Sequence, residues 1–226
     1  MRSFLSRTLA VFLALLFVAC TSATVEARAP KAFKQSGTAS WYGAWHHGKV
    51  TANGESFDMF AMTAAHKTIP LGTIVKVTRK DIGKSIVVRI NDRGPYKKRR
   101  IIDLSYAAAK SLGMKGKGVS RVHIEAVSDR NGRLLSDKQE FYVHLQDANP
   151  SLQAVQHQLG RLIRLGVRDA SSLLHVHSGT MAMGPFASFE AAQSALTRVA
   201  TTHPGASIML AEKGVMKPAV RELTLR

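Results

Sequence analysis

Cysteine is nearly absent. Cys20 is the single one among 226 residues, so the monomer can hold neither a disulfide nor a cysteine-built metal site. Acid is scarce too, with 15 Asp and Glu against 32 Lys and Arg and a formal net charge of +17. The apolar stretch Leu9 to Ala19 is too short to span a bilayer comfortably. No phosphate-binding glycine fingerprint occurs, Ser105 sits in no nucleophile elbow, and no strand carries the aromatic-rich pattern of RNA-binding modules. No cofactor and no metal are expected. The one metal alternative, His46, His47 and His66, suffers because adjacent residues such as His46 and His47 point to opposite sides of a regular strand.

What is present begins with an export signal. Arg2 and Arg7 precede the Leu9–Ala19 stretch, the layout of a signal peptide over residues 1–20. Leu16-Phe17-Val18-Ala19-Cys20 resembles a bacterial lipobox, with Phe17 in place of the usual leucine, and Cys20 is then the lipidated residue. Ordinary cleavage after Ala23 or Ala27 competes with that reading, and both export the protein. The expected location is the cell envelope, facing the periplasm, lipid-anchored to the outer membrane of a Gram-negative bacterium. The surplus charge lies mainly in Gly37 to Ser128, with 16 basic and 6 acidic residues. In a cytosolic protein this balance would point to nucleic acid. An exported chain meets instead the cell wall and anionic lipid, so no nucleic-acid partner is expected. Lys97-Lys98-Arg99-Arg100, the densest cluster, reads either as a solvated loop or as a patch drawn to an anionic surface.

With 45% hydrophobic and 21% charged residues the chain can bury one large core or two small ones. Residues 21–36, rich in Ala, Ser, Thr and Lys, read as a flexible tether. Over 37–128 the signals are mostly strands: Thr73 to Thr78, Ser85 to Ile90 and Arg121 to Val127 are β-branched or alternating, and one helix runs from Tyr106 to Leu112 with Ser105 as its cap and Gly113 at its end. That pattern favours a compact barrel. Residues 129–139, polar and containing Asn131-Gly132, read as a linker. Over 140–226 the order is βαββαβ, a small ferredoxin-like domain: a strand at Phe141 to Leu145, a helix after Asn149-Pro150 carrying Leu152, Val155, Leu159, Leu162 and Ile163, strands at Leu173 to His177 and Met181 to Met183, a helix capped by Ser188 with Phe189, Ala192, Leu196 and Val199 on one face, and a strand at Ser207 to Leu210.

The candidates for chemistry in the first domain are Glu55, His66, Asp92 and Asp103, each beside an apolar stretch or a tight turn. A carboxyl group held at a pocket rim can act as a general acid. Asn91-Asp92-Arg93-Gly94-Pro95 is also ordinary turn chemistry, and Asp103 before Ser105 can simply support a helix N-terminus. Trp41, Tyr42, Trp45 and Tyr96 offer apolar ring faces suited to stacking on sugars, so acid plus aromatic platform points to glycan cleavage.

"GTASWYG", "TANGESFDM", "MTAAHKTIPLGT", "VVRINDRGP" and "RIIDLSYAAAKSLG", in that order between Gly37 and Val127, closely resemble the RlpA (rare lipoprotein A) family of septal lytic transglycosylases. The resemblance implies a six-stranded double-psi β-barrel, shared in outline with expansins. It also implies non-hydrolytic cleavage of the β-1,4 bond between N-acetylmuramic acid and N-acetylglucosamine, leaving a 1,6-anhydro end. Carried over by motif, Asp92 is the acid/base, Glu55 and His66 position substrate or tune it, Arg93 helps hold the Asp92 charge, and Asp103, Trp41, Tyr42 and Tyr96 bind substrate. "FYVHLQD" and "MAMGPFASFEAAQSALTRV" resemble a SPOR domain, which binds peptide-poor glycan at division septa, although the usual Gly-Ala-Phe after the first strand is missing. The expected partners are therefore peptidoglycan glycan strands, a membrane through the lipid anchor, and septal division proteins. The alternative is a non-catalytic, expansin-like wall-binding protein.

Overall fold

The computed structural model describes residues 32–114, 116–147, 152–165, 174–177 and 180–219. The signal segment, Cys20, most of the expected tether, and Asn149-Pro150 lie outside the described residues.

The first half forms six strands: β1 (Lys34–Trp41), β2 (Thr63–His66), β3 (Ile74–Arg79), β4 (Ser85–Asp92), β5 (Arg100–Leu104) and β6 (Val119–Ala126). They close into a barrel in the order β1-β5-β2-β4-β3-β6. Two parallel pairs, β1 with β5 and β2 with β4, are laced among antiparallel ones, giving the double-psi barrel. β3 and β4 follow the β-branched runs, and β4 continues two residues past Ile90 to Asp92. Its Ile86, Val87, Val88 and Ile90 are all buried because a second sheet covers the barrel there, with β10 packing against β4. This explains why that strand is a continuous apolar run rather than an alternating one. α1 (Tyr106–Ser111) is capped as expected, with the Ser105 hydroxyl oxygen accepting from Ala108 N.

The second half contains β7 (Gln139–Asp147), α2 (Leu152–Arg164), β8 (Leu174–His177), β9 (Thr180–Phe186), α3 (Phe189–Val199), β10 (Ser207–Glu212) and the two-residue β11 (Lys217–Pro218). Its sheet runs β10-β7-β9-β8-β11. The expected βαββαβ order holds, and β11 is an addition that pairs with β8. Phe141, Val143 and Leu145 alternate onto the buried face of β7, where the Phe141 ring meets Phe189 of α3 edge-on at 6.1 Å.

Three expectations need correction. Residues 34–36, assigned to the tether, are the start of β1, held by β6 through Lys34↔Glu125, Gln35↔Ile124 and Ser36↔His123. Ile163 is 65% exposed while its neighbour Leu162 is fully buried, so the buried stripe of α2 runs through Leu162 and leaves Ile163, about 100° further round, on the solvent side. The segment 129–138 is no slack linker. Asp129 N donates to Arg133 O, Asp129 Oδ1 accepts from Asn131 N and Arg133 N, and Leu135 N returns to Val127 O. Gly72, at φ +90°, lies so close to the Arg130 carbonyl that any β-carbon there would clash with it, so this turn is seated on the barrel.

Candidate functional site

The Asn91-to-Pro95 stretch ends β4. Pairing between β2 and β4 shifts there: Ala64 faces Ile90, but Ala65 faces Asp92, leaving Asn91 as the extra residue of a bulge. A bulge re-aims the side chain that follows it, and here that side chain is Asp92. Ala65 also pairs with Asp103 of β5, and Asp103 pairs with Ser40 of β1. Asp92, Ala65, Asp103 and Ser40 therefore form one rung across four strands, with the two acids two strand spacings apart, roughly 9–10 Å between backbones. Between them the methyl of Ala65 makes a small floor. Gly94, at φ +143°, packs over that floor, where a β-carbon would lie 3.7 Å from the Ala65 Cβ and 3.8 Å from the Tyr42 hydroxyl.

Asp92 is half-buried. Its Oδ1 accepts from Ala52 N at 2.9 Å and Arg93 N at 2.8 Å, and its Oδ2 accepts from the Tyr42 hydroxyl at 3.0 Å. Burial first, then the Asp92 carboxylate and Asp103, push the Tyr42 phenol far above its ordinary value, so Tyr42 stays protonated and donating. Asp103 accepts from the Ser40 hydroxyl. Neither aspartate has an ion-pair partner among the described residues.

Glu55 behaves differently. Its carboxylate accepts from Arg89 Nη2 at 2.9 and 3.1 Å and from Asn91 Nδ2 at 2.7 Å. Burial raises the Glu55 carboxyl, but hydrogen bonds from Asn91 and Asn53 and the Arg89 guanidinium outweigh it and hold the group below its ordinary value. Glu55 is thus a fixed anion. Together with Asn53 N donating to Asn91 O at 3.1 Å, it fastens the 51–55 turn to β4, and that turn delivers the Ala52 N–H to Asp92.

His66 is buried. Its Nδ1 accepts from Thr68 N and Ile69 N, so the proton sits on Nε2, which donates to Gln35 Oε1 at 3.0 Å. Burial first, then Arg93 and Lys67, push its pKa down to about 4. Both ring nitrogens are occupied within the protein, which makes His66 an organiser of the loop after β2. Arg93, expected beside the Asp92 charge, points elsewhere: its Nη1 donates to His66 O at 3.1 Å and Ile69 O at 2.8 Å. What reaches Asp92 from Arg93 is its backbone N–H.

Trp41 also departs from expectation. It follows Ser40, whose side chain meets Asp103, so strand alternation turns the Trp41 ring the other way, edge-on against Tyr106 at 5.9 Å. Tyr96, 89% exposed, stands at the rim just after Pro95. Trp45, 70% exposed, stacks on His46 and has the Lys49 ammonium 4.5 Å from its ring centroid. His47 Nδ1 accepts from Met59 N, so His46, His47 and His66 each have separate protein partners. Sequence reasoning missed Ser40, Ala52 and Asn91. All three lie inside the motifs quoted above, Ser40 in GTASWYG, Ala52 in TANGESFDM and Asn91 in VVRINDRGP, but Ala52 acts through its backbone and leaves no side-chain signal.

A family model described as lytic transglycolase matches residues 34–124. A Neisseria meningitidis protein named endolytic peptidoglycan transglycosylase RlpA is 38% identical over 167 residues, covering 72% of this chain and 70% of its own length. Proteins of that name from Pseudomonas aeruginosa and Vibrio cholerae are 56% identical over 97 residues and 58% over 99, covering 43% and 44% of this chain. The chain matches only 28% and 38% of the length of those two relatives.

Proposed function

The chain belongs to the RlpA family of endolytic peptidoglycan transglycosylases, and on that footing we propose that it cleaves peptidoglycan glycan strands, preferably peptide-poor ones, by intramolecular transglycosylation. The observation that carries this reading is the Asp92 carboxylate at the barrel mouth, oriented by neutral donors alone and facing Asp103 across Ala65. Protonated Asp92 gives its proton to the oxygen that links C1 of N-acetylmuramic acid to the following N-acetylglucosamine. The C1–O bond breaks with its electron pair leaving on that oxygen, and positive charge spreads over C1 and the ring oxygen. The Asp92 carboxylate then takes the proton of the muramic 6-hydroxyl as its oxygen bonds to C1, closing the 1,6-anhydro ring. No water is consumed, and one carboxyl group performs both transfers.

In this reading the Tyr42 hydroxyl and the Ala52 and Arg93 amides hold Asp92 at the angle the two transfers need. Asp103 accepts a sugar hydroxyl, Tyr96 offers a ring at the rim, and the exposed Lys97–Arg99 run draws the anionic wall toward the mouth. The SPOR-like second part as a glycan-binding module, a lipid anchor at Cys20, an outer-membrane location and septal partners extend the same proposal. Incubation of the full chain with purified peptide-free glycan, followed by mass spectrometry, tests it. Anhydro-ended fragments are expected, whereas retention on glycan without any fragments would sustain the expansin-like alternative.

A further inference from the structure

Away from the mouth, the barrel and the second sheet meet across a cavity of about 210 Å³ that no residue of the Asp92–Asp103 rung lines. Register fixes its two walls. Between β3 and β4, Lys76 stands opposite Val87 and Thr78 opposite Ser85, so alternation puts these four on the barrel's outer face, with Val75, Val77, Ile86 and Val88 turned to the core. On β7, Phe141, Val143 and Leu145 face the helices, which leaves His144 on the other side of the sheet, in register with Ser207 of β10. The polar lining is Lys76, Lys84 and Ser85 from the barrel and His144, Thr180 and Ser207 from the sheet. It includes no carboxylate, and neither lysine has an ion-pair partner among the described residues. Glu125, opposite Lys76 on β6, is bonded instead to Lys34 at 2.7 Å.

We propose that this cavity binds one phosphate-class oxyanion, which bridges the barrel and the second sheet. Charge selects the occupant. Charged residues are depleted where folded units bury surface against each other, because an ammonium loses water there and needs a countercharge. Here two half-buried lysines share one cleft, and the protein supplies none. Water alone would leave that imbalance in place, and an acyl chain or an apolar segment would strip water from both ammonium groups with nothing in return. Size excludes a glycan strand, since the cavity lies below the roughly 300 Å³ at which small-molecule sites begin, yet it holds several times the about 30 Å³ share of a water. A tetrahedral oxyanion directs acceptors to both walls at once, toward the ammonium groups of the barrel and the hydroxyls of Thr180 and Ser207 on the sheet. Val87 and Met209, which complete the walls, keep the local dielectric low and strengthen the attraction.

The test titrates the full chain with inorganic phosphate against sodium chloride at constant ionic strength, because added salt of any kind relieves the self-repulsion of a chain with net charge +17. Calorimetry should show saturable binding of one phosphate per chain, and Tm should rise with phosphate in step with that binding. Lys76→Gln combined with Lys84→Gln should weaken binding by at least about tenfold, the contribution of one charge-assisted hydrogen bond, and abolish the Tm rise. Lys97→Gln combined with Lys98→Gln, which removes the same charge from an exposed run, should keep both responses. Lys84→Gln alone should give an intermediate loss and carries the test if the double variant does not fold. Phosphate bound by the parent assigns the site to a free ion. No response to inorganic phosphate, together with sedimentation on phosphatidic-acid vesicles but not phosphatidylcholine ones that only the cavity variants lose, assigns the same phosphoryl chemistry to a lipid headgroup. Binding unchanged in the cavity variants, equally reduced in the Lys97 and Lys98 pair, or absent from both arms overturns the site.

Discussion

The barrel mouth contains two kinds of acid. Glu55 is tied to a guanidinium and held ionised, whereas Asp92 receives only two amides and a phenol. A group that must release and recover a proton within one turnover is poorly served by a permanent counter-charge and well served by neutral donors that fix its orientation. Residue type alone makes the two acids look alike, but their partners differ, a guanidinium at Glu55 and neutral donors alone at Asp92, and only the second arrangement suits the proton carrier proposed for Asp92. His66 belongs with Glu55, since every polar atom of its ring is engaged inside the protein.

The largest expected effect tests the Asp92 half of that contrast. Asp92→Asn retains shape and hydrogen-bonding reach but cannot transfer a proton, so kcat should fall about 10²–10⁴-fold while glycan binding stays within a few-fold. Thermal melting run alongside distinguishes lost chemistry from lost folding. A folded variant cleaving at the parental rate would move the acid/base role to Asp103.

Glu55→Gln should reduce kcat by a smaller amount, on the order of tenfold, because it loosens the turn that delivers Ala52 N–H to Asp92. Its diagnostic is the pH profile. A positioning role lowers the whole curve without moving its limbs, whereas displacement of a limb would make Glu55 itself a proton carrier.

The His66 prediction concerns stability. Its pKa falls from the ordinary 6.5 to about 4 in the folded state, so between those values the unfolded chain takes up a proton that the folded chain refuses. Stability from this source is complete above about pH 6.5 and declines as pH falls toward 4, with a total on the order of a few kcal/mol. Tm should drop over that window, and His66→Gln, which keeps an acceptor for Thr68 N and Ile69 N, should flatten the drop. Glu55 adds loss in the same direction at lower pH, as its depressed carboxyl is finally protonated. Smallest of all, Tyr96→Ala should leave Tm within about 0.5 kcal/mol equivalent and raise KM a few-fold, which steady-state kinetics on glycan would show.

Much of this was legible in the sequence, for reasons that can be located. β3, β4, β6 and α1 announce themselves through β-branched runs and a serine cap, and the βαββαβ order of the second half follows from helical spacing and Ser188. β1 did not, because Lys34-Gln35-Ser36-Gly37-Thr38-Ala39-Ser40 earns its place by pairing with β5 and β6, far along the chain, rather than by an apolar pattern of its own. Asp92 and Asp103 were visible as motif residues, but their sharing of one rung with Ala65 is a matter of register that no local signal carries. Arg93 shows the converse limit, since adjacency in sequence suggested a partner that the fold gives to the carbonyls of His66 and Ile69.

The 129–138 turn has a practical consequence for dissecting the molecule. Slack chain between modules can be cut without injury to either, but here Ser128 Oγ accepts from Ile74 N at 2.7 Å, Leu135 N bonds Val127 O at 2.9 Å, and β10 lies against β4. A truncation after Ser128 would bare Val87 and its neighbours to water and turn a covered face into an adhesive one. The isolated barrel is therefore expected to aggregate or bind surfaces indiscriminately, and a protease searching the junction of the intact protein should find little extended backbone to cut.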